Sequence, residues 1–183
     1  MSLSVEQVQQ VLNQAERLFD RTQVDAAYDR LAVEITKLLQ DRAPIVLAVL
    51  TGGLVPTGHL VTRLLFPLQL DYLHATRYQG QTRGRELTWI APPSIPMAGR
   101  TVLVVDDILD EGLTLEAILD YCREQGAAAV YSAVLVEKQH DRRPAHIKAD
   151  FKGLEVDDRY VFGCGMDYMG YLRNLHEIYA ISN

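Results

Sequence analysis

The stretch VLVVDDILDEGLTL, residues 102–115, constrains the fold of this chain more than any other. A short β-branched apolar run has strand length rather than helix length, and here it ends on two adjacent carboxylates, Asp106 and Asp107. Gly112 and Thr114 follow, and then Leu115, Ile118, Leu119 and Cys122 recur at helical spacing up to a stop at Gly126. Strand, acidic turn and helix in that order put charge at the mouth of a sheet and leave the first amides of the helix free. Those amides, backed by the positive end of the helix dipole, can hold a phosphate, with the Thr114 hydroxyl as a further donor. The carboxylates are then free to accept hydrogen bonds from sugar hydroxyls or to hold a hydrated magnesium ion. A sugar phosphate lying across the turn satisfies both halves. The plainer alternative is a pair of solvated strand-end carboxylates, with Asp110 or Glu111 helping to cap the helix.

The same alternation runs through the middle of the chain. PIVLAVLTGG reads as a buried strand closed by a glycine turn, TGHLVTRLLF as the helix after it, and LQLDYL as the next strand. HATRYQGQTRGRE is polar, glycine-punctuated and aperiodic, which predicts a mobile loop over about 75–87 that LTWIAPP closes as a strand. AVYSAVLVEK and the shorter DRYVFGCG are later strands. Ahead of them, Ser4 and Gln7 form a capping-box pattern for a helix running through Val8, Val11, Leu12, Ala15, Leu18 and Phe19. A second helix spans about Asp25 to Leu39. This order predicts an α/β fold, a mostly parallel twisted sheet flanked by helices, with ligands beyond the carboxyl ends of its strands. No repeat or linker interrupts it, so residues 1–183 read as one domain with N-terminal helices over about 4–40.

Composition narrows the function. Of 183 residues, 48% are hydrophobic and 23% charged, and the net charge of −6 is the wrong sign for binding nucleic acid through an overall field. Cys122 and Cys164 stand far apart with no CxxC partner or His cluster, which argues against a disulfide framework or a zinc site and for a reducing cytoplasm. The N-terminus has no basic start before an apolar segment. The longest clean apolar run, IVLAVL, is about a third of what a spanning helix needs, so neither export nor a membrane is expected.

With its flanks, VLVVDDILDEGLTL resembles the phosphoribosyl-pyrophosphate (PRPP) motif of the type I phosphoribosyltransferases: hydrophobic strand, two acids, two apolar residues, Asp, a small or polar residue, Gly and Thr. A response-regulator receiver opens on a similar strand, but no later apolar strand here ends on a phosphoacceptor Asp, and the haloacid dehalogenase pattern is not matched. LVEKQHDRRP, DFKGLEVDDRYVFGCGMDY and YLRNLHEIYAI then follow in the order found in hypoxanthine-guanine phosphoribosyltransferases. The likeness covers roughly residue 40 to the end. It implies the type I phosphoribosyltransferase fold with a small hood built from terminal segments. It also implies a magnesium-dependent purine-salvage enzyme that joins hypoxanthine or guanine to the ribose of PRPP, assembled as a homodimer or homotetramer.

Residue by residue, the resemblance gives Asp106 and Asp107 the ribose hydroxyls, directly or through magnesium. The turn Asp110, Glu111, Gly112, Leu113 and Thr114 holds the 5-phosphate, and Asp110 is the catalytic acid/base near N7 of the purine. Lys138 donates to the oxygen at C6, Tyr160 stacks on the base, the Val161 backbone meets its edge and Met166 lines the pocket. Asp167 is linked to a second magnesium and to the guanine amino edge. Thr51, Gly52 and Arg173 take the pyrophosphate, with a cis peptide at Leu50-Thr51 that aims backbone amides, and Arg77-Tyr78 sit in the closing loop. Four positions depart from the family's habit: Thr51 for Lys, Asp106 for Glu, Leu113 for a more polar residue and Arg77 for Ser. A PRPP- or nucleotide-sensing regulator of the same fold is the alternative. The presence of Lys138, Tyr160, Asp167 and Arg173 favours the enzyme.

Overall fold

The computed structural model describes residues 3–77 and 87–182. Its centre is a six-stranded sheet of β2 (Ile45–Val49), β3 (Gln69–Arg77), β4 (Leu87–Ala91), β5 (Thr101–Leu109), β6 (Ala129–Gln139) and β7 (Phe151–Asp157), in the order β4-β3-β2-β5-β6-β7. Every neighbouring pair is parallel except the edge strand β4, which runs antiparallel to β3. The two central strands show why the sheet is covered on both faces. Ile45, Leu47, Val102 and Val104 pack with Leu115, Ile118 and Cys122 of α4 (Leu113–Glu124). Val46, Leu103 and Val105, one residue out of phase, pack with Leu31, Ile35 and Leu39 of α2 (Arg21–Leu39). Alternate residues of a strand point to opposite faces, so a strand apolar at every position needs a cover on each side.

Asp71 pins the connection between β4 and β5. Its carboxylate accepts the amides of Ser94 and Ile95 at 2.7 and 2.8 Å and the Ser94 hydroxyl at 3.1 Å.

A second sheet of three antiparallel strands, β1 (Glu16–Phe19), β9 (Ile178–Ala180) and β8 (Val161–Phe162), forms the hood from terminal segments. Arg159 reaches Glu16 at 2.6 Å and Arg17 reaches Glu177 at 2.9 Å across it. His176 ahead of β9 lies 3.4 Å from Asp25 of α2 and stacks edge-on with His59 of α3 (Leu54–Val61). Arg63 and Arg21 approach the same Asp25 carboxylate at 3.0 and 3.7 Å, so this cluster already holds its cations and acts as a tie between hood and core.

Several local expectations are corrected. The first helix, α1 (Val5–Gln14), keeps its Ser4–Gln7 capping box but stops at Gln14, and Leu18 and Phe19 belong to strand β1 rather than to the helix. The second helix begins four residues earlier than expected because Asp20 and Gln23 form another capping box. Residues 75–77 continue β3 instead of opening a loop, and the rest of the expected loop, 78–86, lies outside the described residues. Strands β7 and β9 were not anticipated.

Candidate active site

Strand β5 does not end at the acidic pair. It runs on to Leu109, so Asp106 and Asp107 project from the strand itself and the turn begins at Asp110. Asp106 accepts the Asp107 amide at 2.9 Å, and Asp107 accepts the Ile108 amide at 2.7 Å. Burial pushes both carboxyls above their usual range, Asp106 furthest because the charge of Asp107 adds to it.

Gly112, at φ +78°, turns the chain into α4. A side chain there would strike Ile147 and Leu109, so only glycine permits the turn. Helices α1 and α2 start under side-chain caps, whereas α4 starts with none. Its leading amides lie in the wall of a cleft of about 450 Å³, which Asp106, Asp107, Asp110, Glu111, Gly112, Leu113, Thr114 and Arg142 share.

A second cleft, about 180 Å³, adjoins the first. Asp107, Ile108, Asp110, Lys138, Tyr160, Val161, Met166 and Asp167 line it. Asp107, Ile108 and Asp110 therefore form the shared wall of the two clefts. All five residues expected at a base are among its lining residues. Lys138 donates to Asp110 Oδ2 at 2.7 Å. Partial burial works to raise the Asp110 pKa, but hydrogen bonds and charge from Lys138 and His140 outweigh it and hold the carboxyl below its ordinary value. A larger groove, about 560 Å³ between α2 and the residues after α3, brings together no comparable set of acids and donors.

Arg173 joins the acidic residues. Its guanidinium bonds Asp167 Oδ1 at 2.6 Å and the Gly165 carbonyl at 2.6 Å, and it lies 3.9 Å from Asp107. Both oxygens of Asp167 are thus occupied, the second by the Gly170 amide at 2.6 Å. Gly52 packs against Asp107, and the Leu50-Thr51 peptide ahead of it is cis. Thr51 is exposed. Arg77 ends β3, while its side chain and Tyr78 lie outside the described residues.

The donor set at Asp106 and Asp107 fits magnesium. It is all oxygen, and two mutually repelling carboxylates, Asp107 buried and Asp106 half-buried, gain from a hard divalent cation placed between them. Asp167 fits less directly, because it would have to release Arg173 or Gly170 first.

Sequence reasoning missed His140, Arg142 and Arg143. His140 meets Asp110 Oδ1 at 2.7 Å. Arg142 pairs with Asp158 at the cleft rim. Arg143 donates to the carbonyls of Leu109, Asp110 and Lys138 and to Glu137, tying the ends of β5 and β6 together. The period of two that puts Lys138 and position 140 on one side of an extended chain was the available signal for His140.

Comparison with known proteins places the chain in a family. Residues 14–169 match the family model of the phosphoribosyl transferase domain. The hypoxanthine-guanine phosphoribosyltransferase of Bacillus subtilis is 32% identical over 159 residues, 86% of this chain and 88% of that protein. The hypoxanthine-guanine-xanthine phosphoribosyltransferase of Tritrichomonas foetus is 30% identical over 158 residues, 86% of each chain. Among solved structures, a hypoxanthine phosphoribosyltransferase from Staphylococcus aureus superposes with a TM-score of 0.88 at 25% identity, covering 98% of this chain and 97% of that one. The chain belongs to the phosphoribosyltransferase family, and within it to the hypoxanthine-guanine phosphoribosyltransferases.

Proposed function

We propose that this enzyme transfers the phosphoribosyl group of PRPP to a 6-oxopurine, hypoxanthine or guanine, and releases pyrophosphate and the nucleoside monophosphate. The observation that carries this reading is the wall of Asp107, Ile108 and Asp110 common to an anion-holding cleft and a smaller aromatic-rimmed one. A sugar phosphate in the first and a base in the second meet across that wall.

In this reading the amides of the 110–114 turn hold the 5-phosphate, and Asp106 and Asp107 face the ribose hydroxyls. The purine lies against Tyr160, Val161 and Met166. As its nitrogen attacks the anomeric carbon, the bond to pyrophosphate breaks with its electron pair on the departing oxygen. Asp110, held ionised, takes the proton that the purine sheds. Lys138 leaves Asp110 to donate to the oxygen at C6. Adenine carries an amino group there, and two donors would face each other unpaired. Thr51, Gly52 and Arg173 receive the pyrophosphate, a guanidinium being well matched to it. Asp106 and Asp107 would hold magnesium, whose charge, when bound, stabilises the leaving pyrophosphate. Asp167 reaches the guanine amino edge or a second ion by exchanging its present partners.

Assembly as a homodimer or homotetramer and a cytoplasmic setting belong to the same proposal. The buried free thiols Cys122 and Cys164 and the exposed Leu65 and Val33 on the groove beside α2 support it.

The test is the purified protein with PRPP and magnesium against hypoxanthine, guanine, xanthine and adenine, each nucleotide product followed by chromatography. Product from 6-oxopurines and not from adenine is expected. No product from any base, with PRPP still bound, would point to a PRPP-sensing regulator.

A further inference from the structure

His140 approaches Asp110 from behind. Its ring, 4% exposed, places Nε2 at 2.7 Å from Asp110 Oδ1, while Lys138 holds the other oxygen, Oδ2, at 2.7 Å. The Arg142 amide donates to His140 Nδ1 at 3.2 Å. A nitrogen that accepts carries no proton, so in the neutral ring the proton sits on Nε2 and is donated to Asp110. His140 lines a different cleft, with Glu137, Arg143 and Lys148, and is not among the residues facing the base pocket. It therefore touches the carboxylate without touching a ligand there.

From this geometry we infer that His140 is a positioning residue for Asp110. The inference rests on the function proposed above. When Lys138 turns to the base, Asp110 loses the partner on Oδ2, and His140 is the donor that stays. It fixes the carboxylate plane through Oδ1 and leaves Oδ2 open toward the purine. Among the described residues the only other cation on Asp110 is Arg142 at 3.6 Å, which is itself engaged by Asp158 and lies near Glu111.

The test compares His140→Phe, which fills the space without a donor, with His140→Gln, which restores an N–H near the Nε2 position. His140→Phe should lower kcat about 10-fold to 100-fold, the range of a lost hydrogen bond to a charged group, with KM for PRPP unchanged. The acid limb of its rate profile should move to higher pH, because Asp110 loses a group that keeps it ionised. His140→Gln should regain most of the rate. In an Asp110→Asn background, His140→Phe should have no further effect, since the histidine acts through that carboxylate. A His140→Phe enzyme with wild-type kcat and acid limb overturns the inference. So do equal losses in the Phe and Gln variants, or fully additive losses in the double variant, each of which marks a packing role. Wild-type protein that forms no nucleotide overturns the proposed function as well, which separates the two failures.

Discussion

Asp107 Oδ2 lies 2.0 Å from the point where a Cβ on Gly52 would stand. The glycine of the 51–53 turn is thus the seat of the second carboxylate, and its backbone needs no conformation that alanine lacks. Gly52→Ala should fold, at a cost of about 1–3 kcal/mol for overpacking. It should displace Asp107 and lower turnover about 100-fold, the scale of an ångström's misplacement in a catalytic site. Thermal unfolding and steady-state rates with varied PRPP check both halves; normal turnover would separate Asp107 from the chemistry.

Asp110 is assigned the base on its charge state and its location. Lys138 and His140 hold it below its ordinary pKa, so it is ionised at neutral pH, and it stands on the wall between the clefts. Asp110→Asn keeps the size and loses the ability to take a proton. Turnover should fall about 10²–10⁴-fold, the usual worth of general base catalysis. KM for PRPP should change by less than about threefold, since amides rather than this side chain are assigned the phosphate. Turnover equal to wild type would remove Asp110 from the reaction.

Tyr160 is 51% exposed at the rim of the smaller cleft, edge-on to Tyr168 at 5.7 Å. A large ring left that open at a pocket mouth is available for stacking. Tyr160→Ala should raise KM for the base about 10-fold or more, matching a stacking energy of about 1–3 kcal/mol per base, and leave KM for PRPP alone. Tyr160→Phe should stay within about twofold because the face, not the hydroxyl, makes the contact. A Phe variant as weak as the Ala variant would assign the hydroxyl instead.

The elements legible in the sequence were those whose partners are local. The strand at Thr101–Leu109, its acidic pair, Gly112 and helix α4 follow one another within 24 residues, and side-chain period alone distinguishes them. The hood was illegible locally. Arg17 and Phe19 pair with Tyr179 and Ile178 at the far end of the chain, and that contact overrides the helical spacing that Leu18 and Phe19 continue from α1. Strand β7 hid for a different reason: of FKGLEVD only Phe151 and Val156 are buried, as suits an edge strand, so no clean apolar run announces it. The candidate site divides the same way. Asp106 to Thr114 could be read as a unit, whereas the grip of His140 on Asp110 and of Arg143 on the strand ends depends on how β6 sits beside β5.

Asp106 and Asp107 set function against stability. Burial raises the pKa of both, and for Asp106 the neighbouring charge raises it further. In the window from the ordinary carboxylate value up to the raised one, the folded state binds more protons than the unfolded state. Stability without a divalent cation therefore falls as pH rises through that window. Asp106→Asn removes one half-buried charge from beside Asp107, so at about pH 8 in chelator it should stabilise the protein by about 1 kcal/mol, or about 2–4 °C in Tm for a chain of this size. That advantage should shrink as pH falls and the wild-type pair takes up its proton. Magnesium should reverse the order, raising the wild-type Tm more than that of the variant, because the cation offsets a repulsion the variant has lost. Activity of the variant should collapse in either case. Melting curves for both proteins at three pH values, with and without magnesium, decide it. A variant less stable than wild type at high pH in chelator would mean that the pull of the Asp107 amide and of Arg173 on the Asp106 charge outweighs the cost of burying it.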